Sequence, residues 1–444
     1  MMNRKGTTMK TMKFAAAGLA AAMLLPLGAC GSASDANTLT IWVEKVFSEK
    51  SNEEMKQRIE IFSKETGIKV NYEFISATDY MTKLNATIEA GRGIPDITTS
   101  AVSKVVNYYP GNPYMDMTDI VERINKDRPY LKSVYEGSKI DGKLYFAPFR
   151  SSSTMMFIRM DKLYEAGIYE VPTTWDELFE VAEKISDPAQ GFYGLGWGCG
   201  STDEDGDNIF RNIMWNQGGY MFDKDGNVTI DNKVSRKLMQ QYKTMYQNKV
   251  IPPSASTWDS GGNNTSYLMG ESGIIFNAPT LYYSMASDPS YETLLGNTAV
   301  VNLPKGEDND VKMSFVTGLS IMKASKNVDA ATKLVEYLLD KDWYDGFLEE
   351  TAPVFAPVFQ DSEQVDVWQK DVNAEVLNYV KTSEGYYGYP ARSTADRAVA
   401  AKNMFTYPEA KMLNQIVTVN TSIDDALKDN IRKIDELKSL FTEQ

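Results

Sequence analysis

Residues 38–74 read TLTIWVEKVFSEKSNEEMKQRIEIFSKETGIKVNYEF. The opening 38–43, rich in β-branched and aromatic side chains, predicts a strand. Ser51 with Glu54 three residues on has the capping-box pattern, and Met55, Ile59 and Phe62 then share one face of a helix. Gly67 supplies the stop, because glycine accepts the left-handed backbone that ends a helix. Residues 68–74 (IKVNYEF) predict a second strand. Strand, helix and strand in this order argue for a parallel α/β sheet, with the helix's apolar face committed to it.

The alternation continues outward. Ile94-Pro95-Asp96-Ile97 is expected to end a further strand, and 143–149 (KLYFAPF) precedes strand-like 154–159. Thr174 predicts a helix N-cap with Glu177 as its partner. Residues 222–230 suggest a hairpin around Asp225-Gly226, and 274–276 and 299–303 suggest short buried strands. Residues 327–339 predict an amphipathic helix with Ala331, Leu334, Val335 and Leu338 apolar, and 423–440 another. There is no internal repeat, heptad run or low-complexity block.

The N-terminus speaks to compartment. Arg4, Lys5, Lys10 and Lys13 precede an apolar, small-residue run over 14–29 that ends Leu27-Gly28-Ala29-Cys30. That order reads as a signal peptide (1–29) rather than a span, and its length falls short of the roughly 20 residues a membrane crossing needs. Cys30 after Leu-Gly-Ala resembles a bacterial lipobox, which implies an acylated cysteine and a membrane anchor. Residues 30–37 (CGSASDAN) then form a polar tether.

Loss of the four leader cations leaves 42 of the 46 basic residues against 60 acidic ones, net −18. Such a surface disfavours nucleic acid and anionic headgroups. The chain has no histidine, which removes Ser-His-Asp and Cys-His catalysis and the usual zinc and copper ligand sets. With Cys30 acylated, only Cys199 remains and no internal disulfide can form. Two acidic stretches, 202–208 (TDEDGDN) and 223–227 (DKDGN), mimic calcium-loop spacing but lack the closing glutamate of an EF-hand. They are read as turns with solvated carboxylates, and no metal or cofactor is expected.

Blocks along nearly the whole of 38–444 are similar to family 1 extracellular solute-binding proteins, the maltose-binding-protein-like group. TLTIWV with FSKETGIKV, GRGIPDI (91–97), RMDKLYEAGIYEVPTTWDEL (159–178), NQGGYMFDKDG (216–226), LMGESGIIFNAP (268–279), NLPKG (302–306) and SIDDALKD (422–429) come in that family's order. The resemblance implies a two-lobed α/β fold with a ligand cleft between lobes joined by three crossings. Mapped here, the crossings fall near 144–148, 303–313 and 350–357. One lobe is then 38–146 with 314–352, and the other 148–312 with 353–444.

Function follows as an expectation: an extracellular, lipid-anchored, monomeric receptor that hands a mono- or oligosaccharide to ABC-transporter permease subunits, with no catalysis. The alternatives are a peptide, polyamine or opine ligand, a surface-anchored glycoside hydrolase, or a structural lipoprotein with an empty cleft. Tyr (25) and Trp (7) together outnumber Phe (18), which suits sugars, whose C–H faces stack on aromatics while their hydroxyls need polar partners.

Site expectations rest on position. Glu44, Lys45 and Phe47 follow the first strand, where an open α/β sheet offers its ligand edge; the competing reading is a solvated turn. Trp42 is read as core and Asp96 as a structural turn group. Ser100 occupies a spot where the family often places a contact. Arg150 follows the first expected crossing, where maltose-binding proteins carry a sugar-binding carboxylate. The reversed charge argues against maltose and suits vicinal hydroxyls or an acidic sugar, with an inter-lobe salt bridge as the alternative. Asn208 and Arg211 fall on positions the family fills with aromatic contacts. Trp197 could supply a platform instead, Trp258 is a weaker candidate, and Tyr282 lies close to where the family stacks a tryptophan. Tyr386, Tyr387, Tyr389 and Arg392, interleaved with glycine, suggest a lip of the cleft.

Overall fold

The computed structural model describes residues 37–46, 48–306 and 309–442. The leader, Cys30 and all but the last residue of the tether lie outside the described residues, as does Phe47. Among the described residues nine strands occur in order: β1 (Thr38–Glu44), β2 (Lys69–Ile75), β3 (Ile97–Ser100), β4 (Ala147–Ser152), β5 (Met155–Arg159), β6 (Tyr193–Gly196), β7 (Ser272–Asn277), β8 (Thr298–Val301) and β9 (Phe315–Ile321). They form two sheets, ordered β2-β1-β3-β9-β4 and β6-β7-β5-β8.

The opening β-α-β unit forms as its pattern dictates. β1 pairs in parallel with β2 along its whole length and with β3 beyond. Leu39, Ile41 and Val43 are buried on one face with Met55, Ile59 and Phe62. Trp42 is buried on the other face with Ile75, Tyr80 and Leu84. A parallel sheet covered on both faces has this near-continuous apolar register, and fully burying each large side chain contributes about 1.5–3 kcal/mol. The helix Glu49–Thr66 starts a turn before the expected Ser51. Ser48 has the extended backbone of a cap, and its hydroxyl accepts from the Ser51 amide. Gly67 ends the helix in the left-handed conformation, φ 70°.

Three further expectations need correction. Residues 94–97 lead into a strand rather than ending one: Asp96 accepts from the Thr40 amide at 2.9 Å and from the Ser325 hydroxyl at 2.5 Å, and so fixes the entry to β3. Residues 222–230 form a turn closed by a single bridge between Phe222 and Val228 rather than a two-stranded hairpin, because Asp223 accepts the Asp225 and Asn227 amides itself. The chain also passes between the sheets at 153–154, later than 144–148, because β4 is itself a strand of the first sheet, bonded to β9.

The second passage, from β8 to β9, runs through 302–314. After the helix Lys341–Thr351 the chain returns alongside β4, where Ser151 and Ala356 exchange backbone hydrogen bonds of 3.2 and 2.7 Å. Near the end, the helix Pro408–Thr418 packs on Glu204–Asn216 and Lys233–Gln247, while Thr394–Met404 packs on Val102–Asn107 of the first lobe. Cys199 is a buried free thiol, which burial pushes up to about 12. Among the described residues no helix is long and apolar enough to cross a membrane.

Candidate functional site

Each sheet delivers a carboxylate from the carboxyl end of a strand. Glu44 ends β1, and its amide donates to the Thr99 hydroxyl at 3.1 Å. Lys104, on the helix Val102–Asn107 that follows β3, puts its Nζ 2.5 Å from Glu44 Oε2 and 4.3 Å from the centroid of the Tyr80 ring. In the second lobe, β6 runs through a short loop into the helix Glu204–Asn216. Asp203 caps that helix by accepting from the Gly206 amide at 2.9 Å, and the Glu204 amide donates to the Ser260 hydroxyl at 3.1 Å. Asp205 accepts from Asn263, which also donates to the Phe276 carbonyl in β7.

Glu204 is exposed, yet protein surrounds its carboxyl so closely that lost solvation raises its pKa. The Glu44 carboxylate adds to the rise, against the opposing pull of Arg211 and Lys104. The carboxyls of Glu44 and Glu204, carried by different sheets, are therefore near enough to act on each other. Asp205 is pushed up to about 7 and Asp203 to about 8, both first by burial.

Arg150 stands on β4 where the register slips. Pro148 pairs with Gly318 and Arg150 with Thr317, leaving Phe149 unpaired in a bulge that re-aims the strand. Arg150 is 5% exposed. Its Nε donates to the Thr317 hydroxyl at 3.2 Å, and its guanidinium lies 4.2 Å from the Phe355 ring centroid. Phe355 belongs to the turn that the bridge between Ser151 and Ala356 clips against β4. The expected inter-lobe salt bridge is absent among the described residues. Burial lowers the Arg150 pKa to about 10, with Glu44 pulling it back up.

The C-terminal tyrosines divide in role. Tyr387 is half-buried, with its hydroxyl against Ser103 of the first lobe and under the influence of Glu204 and Arg211 of the second. Tyr389 packs against Trp215 and Tyr220, with ring centroids 5.9 and 5.6 Å away. Tyr386 donates to the Pro390 carbonyl and faces Arg397. Arg392 is exposed and makes no ion pair among the described residues. Within the loop Tyr387 thus bridges groups of both lobes, while Tyr386 and Tyr389 pack against their neighbours.

Glu44 acts on both Arg150 and Glu204, and Glu204 in turn on Tyr387, whereas several other expected residues stand apart. Lys45 is exposed, its amide extending the β1–β2 ladder to Ile75. Ser100 is fully buried beside Tyr114. Trp197 is 1% exposed, donates to the Gly206 carbonyl and meets Tyr242 edge-on, so it is core rather than platform. Asn208 and Arg211 are buried in a polar cluster: Arg211 Nη2 lies 2.5 Å from Asp207 and 3.1 Å from Glu409, and its Nη1 donates to Asn208. Asp207 also accepts the Glu409 and Ala410 amides, which joins the two helices. Trp258 is half-buried against Gly198 and Gly262, and Tyr282 is half-buried at the start of the helix Thr280–Ser287. Neither has a described contact with the Glu44 group.

The reading of 202–208 as solvated turns is corrected as well: Asp203 and Asp207 are 2% and 1% exposed, one as a cap and one as an ion-pair partner. The sequence reading missed Glu204, Asp205, Lys104 and Phe355. It also missed Tyr407, which takes a left-handed backbone (φ 53°) ahead of Pro408 and lies within the influence of Glu204 and Asp207. A signal for Glu204 existed: it opens the helix that follows β6, directly after the capping Asp203.

Two separate sheets, with charged groups of both halves near enough to act on one another, define the architecture of a two-lobed binding protein. The chain matches the bacterial extracellular solute-binding protein family over residues 38–345 and belongs to it. It is 23% identical to the arabinooligosaccharide-binding protein of Bacillus subtilis over 71% of this chain and 73% of that one. A Brucella abortus protein described as a binding protein is 25% identical, over 78% and 82%. The maltose-bound T. maritima MalE3 structure superimposes with a TM-score of 0.75 at 22% identity, covering 91% of this chain and 99% of that one.

Proposed function

We propose that this chain is a carbohydrate receptor that hands its ligand to an ABC importer. The observation that supports the reading is the approach of Glu44 and Lys104 of one lobe to Glu204 of the other, with Arg150 beside Glu44, and Asp205 and Tyr387 beside Glu204. Charged and amide groups in fixed positions satisfy sugar hydroxyls, and an aromatic ring offers a face for the C–H side. The arabinooligosaccharide-binding relative and the maltose-bound structure support the same ligand class. The lobes divide, on this proposal, as 38–152 with 315–362 against the remainder of the described residues, since 354–362 stay bonded to β4 and to 128–131. Cys30 carries the lipid that holds the receptor, as a monomer, at the outer membrane face beside its permease subunits.

The decisive measurement is thermal stabilisation of the purified chain by mono- and oligosaccharides, amino acids, peptides and polyamines. A ligand at a hundred times its Kd stabilises by about 2.7 kcal/mol. Glu204→Ala and Tyr387→Ala are expected to weaken the best sugar at least about tenfold with little change in unliganded melting. Stabilisation by peptides alone would overturn the reading. Glu44 and Glu204 are also the facing carboxylate pair that a hydrolase would use, so sugar cleavage during incubation would move the reading to catalysis. For the anchor, mass spectrometry of the N-terminal peptide is expected to show acylation that Cys30→Ser abolishes.

A further inference from the structure

Wherever else this fold encloses an arginine among carboxylates, it balances the charge. Arg211 lies between Asp207 and Glu409, and Arg128 between Asp345 and Asp361. Arg397, buried without an ion pair, at least donates a terminal nitrogen to the Lys139 carbonyl. Arg150 differs from all three. Its one hydrogen bond runs from Nε to a neutral hydroxyl, and its remaining partner is the Phe355 ring. Its two terminal nitrogens have no partner among the described residues, and neither is sealed from solvent. Glu44, the carboxylate that acts on it, is already engaged by Lys104 at 2.5 Å.

A buried cation without a counter-ion is costly, and proteins ordinarily pair such charges. Here the free end of the guanidinium is the forked, planar face that matches a carboxylate with two parallel hydrogen bonds. The bulge at Phe149 and the Phe355 ring hold it in place, so little side-chain freedom remains to be lost on binding. At neutral pH the group stays protonated despite its burial.

Building on the carbohydrate reading above, we infer that the ligand is an acidic sugar, a uronate-bearing mono- or oligosaccharide whose carboxylate seats on Arg150. Its hydroxyls, or those of a neighbouring neutral unit, are left for Glu44 and Glu204. A neutral sugar leaves the cation unbalanced, and a cationic ligand is repelled by it.

The test uses matched pairs on the wild-type chain by calorimetry: glucuronate against glucose, galacturonate against galactose, and glucuronosyl-xylose against glucosyl-xylose. In at least one pair the acid is expected to bind about tenfold or more tighter than its carboxyl-reduced partner. Arg150→Gln is expected to erase the gap, and Arg150→Lys, which keeps the charge but loses the fork, to retain part of it. Neutral members binding as tightly as acids overturns the inference and leaves the carbohydrate reading standing. An acid preference that survives Arg150→Gln overturns the assignment to this residue. Silence from every sugar, with a response to peptides or polyamines, sinks both readings. Should Arg150→Gln fail to fold, the wild-type pairs still decide on the acidic ligand and Arg150→Lys on the residue.

Discussion

Asp203 does two things that pull its proton in opposite directions. As a helix cap it accepts from the Gly206 amide, which favours the anion, while burial and the neighbouring Asp205 and Asp259 favour the acid. Burial wins and carries the group to about 8. An unfolded aspartate titrates near about 3.9. The folded chain therefore binds more protons between roughly pH 4 and 8, and the stability this group contributes is full below that window and lost on rising through it. Asp203→Asn keeps an acceptor for the amide and cannot ionise. Its melting temperature is expected to fall less steeply than wild type between pH 5 and 8, and parallel curves would contradict the assignment. Asp205, pushed the same way, leaves part of the slope in the variant. The same pair shows why some of the site was hidden in the sequence. A run such as TDEDGDN looks solvated until packing encloses it, whereas the position of Glu44 follows from its strand end, and Arg150 is singled out by a crossing that falls later, at 153–154.

At the scale of elements, local chemistry was most legible where it is self-contained. Thr174 and Glu177 form the reciprocal cap their spacing predicts: the Thr174 hydroxyl accepts from the Glu177 amide at 3.3 Å, and Glu177 Oε2 accepts the Thr173 and Thr174 amides at 2.9 and 3.1 Å. Those bonds hold the Glu177 carboxyl below its usual range. Thr174→Ala is expected to cost about 1 kcal/mol in urea unfolding without touching ligand affinity. A loss of only a tenth of that would show the helix start is held by packing instead. Legibility ended where a choice depended on partners far along the chain. The apolar run KLYFAPF gave no sign that the strand begins only at Ala147, because β9, some 170 residues later, sets its register and its bulge. Trp197 read as a possible platform because nothing nearby in sequence announces Tyr242, which closes over it. The start of the first helix slipped by one turn because Ser48 and Ser51 are chemically equivalent caps, and backbone geometry decided between them.

For the whole molecule the question is what holds the lobes together when the cleft is empty. The helix Thr394–Met404, carried by the C-terminal bundle, lies on Val102–Asn107 of the first lobe. Arg397 Nη1 donates to the Lys139 carbonyl at 3.1 Å, and its guanidinium rests 5.1 Å from the Tyr386 ring centroid. Burial lowers the Arg397 pKa, and its Nε finds no partner among the described residues. Across the lobes Arg397 thus contributes one hydrogen bond, beside the packing of Ala398 and Ala401 near Val105 and Val106. If ligand is held only by the closed lobes, its apparent Kd scales inversely with the closed fraction. Arg397→Ala removes the bond without entering the group around Glu44, Arg150 and Glu204. It is expected to raise the radius of gyration of the unliganded chain in solution scattering and to weaken ligand several-fold, about 3- to 10-fold for the loss of one such bond. Saturating ligand should return the variant to the wild-type radius, since binding energy can replace the lost contact. An unliganded radius identical to wild type, with affinity also unchanged, would show that this contact does not set the balance between open and closed lobes.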